Sequence, residues 1–484
     1  MIGERVFYRF GPLERRGIFG AIRPGQAIVI LAGGLAAIGV LDQAPSALGA
    51  VIATGLFGLA VLVAVAPVAR RTAQEWGPIA ASFLGRRSLG RTWFRSPGPA
   101  SGSRQAKPPP ALREVTIAQA PYRDRSIGVI SERRGKRLTA VLACRVVSFT
   151  LLDPEAQERR LARWGLVLSG AAATAVRRIQ WIERTVPAQG DELARWVAAE
   201  RDPHIPLRGT PLIDSYLELI DTTARVTQEH EILVAVQVDA ARVRDRGSDG
   251  VTRALIEQTE RLAQGLEAAE VSVLGALSPG QLARATRTAF DPYSGSELAV
   301  LETADPERDG LPEAEAWPVG CQESWEHYRS DGALHTTYWI GAWPRVEVSP
   351  MFMDALLGRS SAVRTVAVTL EPIPIDRSTR DAEAAVTRDQ ADRELRRRFG
   401  QSDTARQRQA EEATVRRESE LAAGHGEVRF AGFITVTGRD PDDLRRACAE
   451  VHEHAARARL ELHRMYGQQA DAFTFTLPLC RGLR

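Results

Sequence analysis

Lysine is almost missing from this chain: of 63 basic residues only Lys107 and Lys136 are lysines. Lys107 precedes three prolines, and Lys136 stands in Arg133-Arg134-Gly135-Lys136-Arg137. A phosphate-cradling P-loop needs Gly-Lys followed by Ser or Thr for magnesium, so a self-contained P-loop ATPase is not expected. Cysteine is equally sparse. Cys144, Cys321, Cys448 and Cys480 stand far apart with no CxxC pair, which excludes a disulfide scaffold, a zinc knuckle and a redox couple. No HExxH, GxSxG or DxDxDG pattern occurs. His452 and His454 lie two apart on a predicted helix, a spacing that turns them to different faces rather than to one metal. No catalytic, cofactor-binding or metal-ligating residue is therefore assigned, and no cofactor is expected.

Acidic residues are scarce only at the start. Residues 1–113 carry 14 Lys+Arg against 4 Asp+Glu, and the remainder 49 against 56, so a +10 segment precedes a −7 body. The acidic balance of the body argues against a nucleic-acid groove there, and the basic segment suits anionic lipid.

Two long apolar runs are present, Pro24–Leu41, interrupted only by Gln26, and Ser46–Ala69. As helices they would measure about 27 and 36 Å against a hydrocarbon core of about 30 Å. The short turn Asp42–Pro45 makes them an antiparallel hairpin. Arginines flank both ends and are absent from the turn, which by the positive-inside rule places both termini in the cytosol. Arg23, Asp42, Arg70 and Arg71 mark the membrane boundaries. A signal peptide is the first alternative, although 23 residues precede the run and a second run follows at once. A buried hairpin of a soluble domain is the second, and it would need protein cover on all sides.

Beyond the hairpin, Trp76, Arg86, Arg87, Arg91, Trp93 and Arg95 mix aromatics with arginines as interfacial segments do, closing a membrane region at residues 1–95. Residues 96–111 are a Pro/Gly/Ser linker. Residues 112–290 are expected as a first cytosolic α+β domain. It has a hairpin around Glu132–Arg137, a helix capped by Asp153-Pro154, a strand Thr174–Val186 and a helix near Leu212–Glu229. A strand Ile232–Val238, a helix Thr252–Ala268, a strand Val271–Leu277 and a helix opened by Ser278-Pro279 follow. Residues 291–484 form the second α+β region: strands Thr336–Val348 and Val363–Leu370, then a charged helical arm at 376–424, broken at Phe399–Ser402. Strand Val428–Val436, a cap at Asp440-Pro441, helix Asp442–Met465 and strand Ala472–Leu477 complete it. Trp339, Trp343 and Pro344 are expected to close a core layer. The predicted fold is thus a two-helix transmembrane hairpin followed by cytosolic α+β domains with a helical arm.

Two resemblances attach to these strings. Phe7-Tyr8-Arg9-Phe10, Arg16-Gly17-Ile18-Phe19-Gly20 and the two runs resemble the PrgI family of small two-span proteins of conjugative type IV secretion. Ile179-Gln180-Trp181, Tyr338-Trp339-Ile340, Trp343-Pro344 and Thr476-Leu477-Pro478-Leu479 resemble the region preceding the motor in conjugative type IV secretion ATPases. EccE of type VII secretion, with a two-span segment ahead of a cytosolic α/β domain, is the alternative resemblance. Both imply a non-enzymatic membrane component that works with other membrane subunits. The first implies that it docks a separate ATPase, through the arm Asp376–Gly424 or the C-terminal segment Thr476–Arg484. A membrane-attached enzyme and a membrane-anchored DNA-binding protein are the remaining classes.

Overall fold

The computed structural model describes residues 24–65, 73–96, 107–123, 125–145, 151–187, 211, 215, 228–294, 298, 310–344, 346–358, 360–398, 405–422 and 426–483. Arg23, Arg70, Arg71 and nearly all of the predicted helix 212–229 lie outside these residues. The chain divides into two compact units, one of residues 12–92 with Tyr466–Gln468, the other of Trp93–Met465 with Gln469–Arg484.

The smaller unit contains α1 (Pro24–Gln43), α2 (Ala47–Val65) and α3 (Ala73–Ser88). Ser46 caps α2, its hydroxyl accepting the Gly49 N–H at 3.1 Å. The helices α1 and α2 run antiparallel. Gln26 Nε2 donates to the Ala64 carbonyl at 3.0 Å, and Gly33 lies so close to Ala60 that a side chain there would collide with it. Among the described residues one stretch, Ala47–Ala64, is long and apolar enough to cross a membrane, with a mean hydropathy of 2.3 over 18 residues; Ile28–Gln43 is a shorter apolar helix. Asp42 is exposed in the last turn of α1.

The larger unit is organised by a 13-stranded sheet. In chain order its elements are β1 (Trp93–Arg95), β2 (Thr116–Tyr122), β3 (Arg125–Glu132), β4 (Arg137–Arg145), α4 (Pro154–Ala171), β5 (Val176–Pro187) and β6 (Gln228–Asp239). Next come α5 (Ser248–Ala268), β7 (Ser272–Ala276), α6 (Pro279–Phe290), β8 (Gly320–Glu323), β9 (Tyr328–Ser330), β10 (Ala333–Ala342), α7 (Asp354–Leu357) and β11 (Val363–Ile373). The chain finishes with α8 (Ile375–Arg398), α9 (Ala405–Ala422), β12 (Glu427–Gly438), α10 (Pro441–Arg457), β13 (Glu461–Arg464) and α11 (Gln469–Phe473). The strand order is β1-β8-β9-β10-β12-β11-β5-β6-β4-β3-β2, with β7 beside β4 and β13 beside β10. Strands from 112–290 and from 291–484 therefore share one sheet.

That order contains a structural repeat. In the first half β3 and β7 pair with β4, β4 pairs with β6, and β6 pairs with β5. In the second, β9 and β13 pair with β10, β10 with β12, and β12 with β11. Within each half the run strand–helix–strand–strand–helix–strand is the split βαββαβ arrangement of ferredoxin-like domains. The halves meet along β5 and β11, antiparallel from Arg364↔Thr185 to Leu370↔Ile179. Trp181, five residues into β5, faces Val368, five residues into β11, so a pseudo-twofold axis passes through this pair.

Alternation along the strands supplies both faces with core residues. On one face Ile179, Val234, Val236 and Leu142 pack under α4 and α5, while Tyr338, Ile340, Val366 and Ile434 pack with α10 residues such as Val451. On the other, Ile182, Leu233, Ala235 and Ala367 pack with α6 residues Leu282 and Phe290, with Phe473, and with Leu477 and Leu479.

Sequence-predicted boundaries hold where a cap is visible. Asp153 accepts the Ala156 N–H, Ser278 and Gln281 form a reciprocal capping box, and Asp440 accepts the N–H groups of Asp442 and Asp443. Three expectations need correction, the first being the strand Thr336–Val348, which runs instead from Ala333 to Ala342. The helix Asp442–Met465 stops at Arg457 and is followed by β13. Leu460 N–H bonds the Ala455 carbonyl and Arg459 N–H the Ala456 carbonyl, with Arg459 at φ +57 where glycine is usual. The equivalent helix α5 ends identically, with Val271 N–H on Leu266, Glu270 N–H on Glu267 and Glu270 at φ +62. The expected strand Ala472–Leu477 is instead the end of α11 and a 3₁₀ turn, Thr474–Thr476. Since Arg459 pays for a left-handed backbone that glycine adopts freely, Arg459→Gly should stabilise the chain by about 0.5–1 kcal/mol, read as a higher melting midpoint in detergent. A lowered midpoint would contradict this reading of the helix stop.

Candidate functional site

A dense buried polar constellation lies on the sheet face that carries α6, where the C-terminal residues 474–483 cross the strands. Side chains of β5, β6 and β11 hold this segment by its backbone. Arg178 Nη1 and Nη2 donate to the Cys480 and Leu483 carbonyls at 3.2 and 2.8 Å, and its Nε to Glu371 at 2.9 Å. Gln180 donates to the Phe475 carbonyl and accepts the Cys480 N–H, both at 2.7 Å. Gln237 donates to the Leu479 carbonyl at 3.2 Å, and Thr369 to the Arg481 carbonyl at 2.8 Å. Arg481 returns across β3 to Glu132 at 2.7 Å. Gly482 stands at φ +96, where a side chain would strike the Phe433 ring.

This arrangement binds chain rather than substrate. Leu477, Leu479 and Cys480 are at most 4% exposed, so the segment Thr476–Arg484, expected from sequence as a docking segment, is part of the body's interior as far as Cys480 and is half-buried from Arg481 to Leu483. The physical reason is that its carbonyls find donors on the sheet that water would otherwise supply. Sequence reasoning missed Arg178, Gln180 and Gln237. Their signal was a few polar residues, Arg178 and Gln180 on β5 and Gln237 on β6, on the same strand face as the apolar Ile182, Leu233 and Ala235, and such polar positions read as the solvated end of a face until something is known to cover it.

The other singled-out residues take structural places. The Tyr338 ring meets His452 edge-on at 4.8 Å, Trp339 meets His463 at 5.6 Å, and Trp343 packs on Phe430 at 5.2 Å and against the core of Tyr338 and Ile434. Among the described residues no group of three His, Cys, Asp or Glu side chains could hold a metal. The enclosed space lined by Leu112, Ile117, Ile130, Trp317 and Leu479 is about 10 Å³, room for one water at most. All four cysteines are buried, and burial pushes the thiols of Cys144 and Cys321 up to about 11 and about 12.

His335 is wholly buried on β10. Its Nε2 is 2.8 Å from Ser330 Oγ and 2.9 Å from the Phe290 carbonyl, and Nδ1 is 2.9 Å from Thr437 Oγ1. Burial pulls its pKa down to about 4, against a partial rise from the Phe290 carbonyl.

The arm is the sequence-predicted element that reaches outward. The strands β11 and β12 are antiparallel neighbours whose register closes at Ile373↔Glu427, and α8 and α9 are inserted between them. Arg417 anchors the base to Glu427 at 2.5 Å. Among the described side chains of the arm the buried ones are Ser378, Ala382, Asp389, Thr414 and Leu421, a small and largely polar set, while Ile375 and Val415 are exposed.

With this geometry in hand, one comparison is informative. Residues 226–340 match the family model described as "Putative type VII ESX secretion system translocon, EccE". The match runs from the start of β6 to near the end of β10 and so crosses the junction between the two repeats, about a quarter of the chain. No curated protein matches the sequence. The match falls on EccE, the alternative resemblance; PrgI and the conjugative ATPases gain no support.

Two outcomes follow. Arg178→Met leaves the half-buried Glu371 without this partner and frees two tail carbonyls, so stability should drop by about 2–4 kcal/mol, seen in urea unfolding; a change below about 1 kcal/mol would show the clasp to be peripheral. For His335 the folded pKa lies below the unfolded value of about 6.5, so the unfolded chain binds the extra proton between pH 6.5 and 4. Stability is complete above pH 6.5 and should fall by up to about 1.4 kcal/mol per pH unit on acidification through that window. His335→Gln should flatten this slope. Equal slopes in both chains would remove His335 from the account.

Proposed function

We propose that the chain is a membrane-anchored, non-enzymatic component of a secretion apparatus resembling the type VII translocon, its role close to that of EccE. The observation that carries this reading is an EccE match on the sheet body downstream of an apolar helix of spanning length. In this reading α1 and α2 cross the membrane as a hairpin with Asp42 at the outer turn, and the sheet unit lies in the cytosol with the bulk of the chain's charge. Partners are other membrane subunits of the apparatus and, at a finer level, an ATPase supplied as a separate chain.

The arm is the proposed partner contact. A helical pair whose buried set is largely polar has little core of its own, and its helices gain order from whatever packs on them. With the C-terminal segment inside the body, the arm carries the docking role alone.

Topology and docking are tested separately. Because the four native cysteines are buried, Gln43→Cys or Ser248→Cys adds one reactive thiol without a cysteine-free background. An impermeant reagent on intact cells should label position 43 and spare position 248, and the reverse pattern would overturn the orientation. The register pair Ile373↔Glu427 allows residues 374–426 to be replaced by a tight turn. The excised protein should stay folded and membrane-bound but lose the subunits that co-purify with the intact one. Full retention of those subunits would remove the arm from the interface.

A further inference from the structure

The helix α3 carries more than a connection requires. Ile79 and Phe83, four residues apart, are buried, whereas Leu84 and Leu89 are 61% and 66% exposed. Arg87 and Arg91 are exposed beside them, and no acidic residue occurs between Glu75 and Glu114. The helix ends in an ordered turn: Arg91 N–H bonds the Arg86 carbonyl at 2.8 Å and Gly90 N–H the Arg87 carbonyl at 3.1 Å, with Gly90 at φ +65. Leu89 and Arg91 are thereby held in place rather than left on a fraying end. Two leucines and two arginines form a preset apolar and cationic strip.

The tether says what covers it. Seven residues, 66–72, separate the end of α2 from the start of α3, and even fully extended they reach no more than about 28 Å. If α2 spans the bilayer, the start of α3 stays within about 28 Å of the leaflet at which α2 ends. A surface with paired arginines, exposed leucines and no carboxylate nearby is complementary to anionic headgroups over an acyl layer.

We propose that α3 and the turn Leu89–Arg91 lie in the interface of that leaflet, Arg87 and Arg91 on anionic phospholipid headgroups and Leu84 and Leu89 at the headgroup–acyl boundary. The proposal rests on the reading of α2 as a span. It adds a lipid-class preference that a span alone does not have.

The full chain is reconstituted with Ser88→Cys carrying an environment-sensitive fluorophore, in vesicles of phosphatidylcholine with brominated acyl chains, with or without phosphatidylglycerol. Quenching at position 88 should be strong with phosphatidylglycerol and weak without it. Arg87→Gln with Arg91→Gln should lower the ratio of embedded to detached probe by roughly tenfold or more in the anionic vesicles. Leu84→Ser with Leu89→Ser should abolish quenching in both. Alkaline extraction of the same vesicles tests the span independently. A protein that resists extraction while its probe is unquenched, or equally quenched with and without phosphatidylglycerol, would overturn this proposal and leave the span standing. A protein stripped by alkali would overturn the span and, with it, the tether on which α3 depends.

Discussion

The antiparallel contact between β5 and β11 is the constraint from which the rest of the body follows. Each half brings its own helices and its own hydrogen-bonded order of strands, yet a half alone would leave β5 or β11 as a long edge with unpaired backbone. Pairing the two edges removes both liabilities at once. It also makes Trp181 common to the cores of both halves.

Joining two apolar-cored halves leaves a polar stripe across the other face at the seam: Arg178 and Gln180 on β5, Thr369 and Glu371 on β11, Gln237 on β6 and Thr435 on β12. Buried polar groups are costly unless satisfied. The C-terminal residues resolve this by presenting backbone carbonyls and one N–H to that stripe, while Leu477 and Leu479 enter the hydrophobic cluster beside it. The tail thereby ties together strands that lie far apart in sequence, and it covers a face that α6 and α11 do not reach alone.

Local signals and long-range ones differed in how readable they were. Asp153-Pro154, Ser278-Pro279 and Asp440-Pro441 announce helix starts because capping is a matter of neighbouring atoms. The arm was readable from its charge, although its expected break at Phe399–Ser402 lies outside the described residues, and the apolar helices were readable from their runs. The helix stops at Glu270 and Arg459 were not, because non-glycine residues occupy the left-handed position. The repeat was hidden for a different reason. It resides in strand pairing, and in the sequence it survives only as Ala175-Val176-Arg177 against Ala362-Val363-Arg364 and as Val186-Pro187 against Ile373-Pro374. The tail was misread because Ala472–Leu477 alternates like a strand, although its polar groups are satisfied by side chains of a sheet formed hundreds of residues earlier. None of the clasp residues carries a motif; their meaning depends on what lies over them.

A body organised in this way is suited to holding position. One sheet, closed at its seam and clasped by its own end, gives a firm mount for an arm that emerges between two of its central strands. The most direct test is amide hydrogen exchange on the full chain in membrane mimetic. Amides of β5 and β11 should exchange only through global opening, in one class with β6, β12 and residues 477–481. Exchange in two separate classes, 116–276 opening independently of 320–464, would contradict the single clasped sheet.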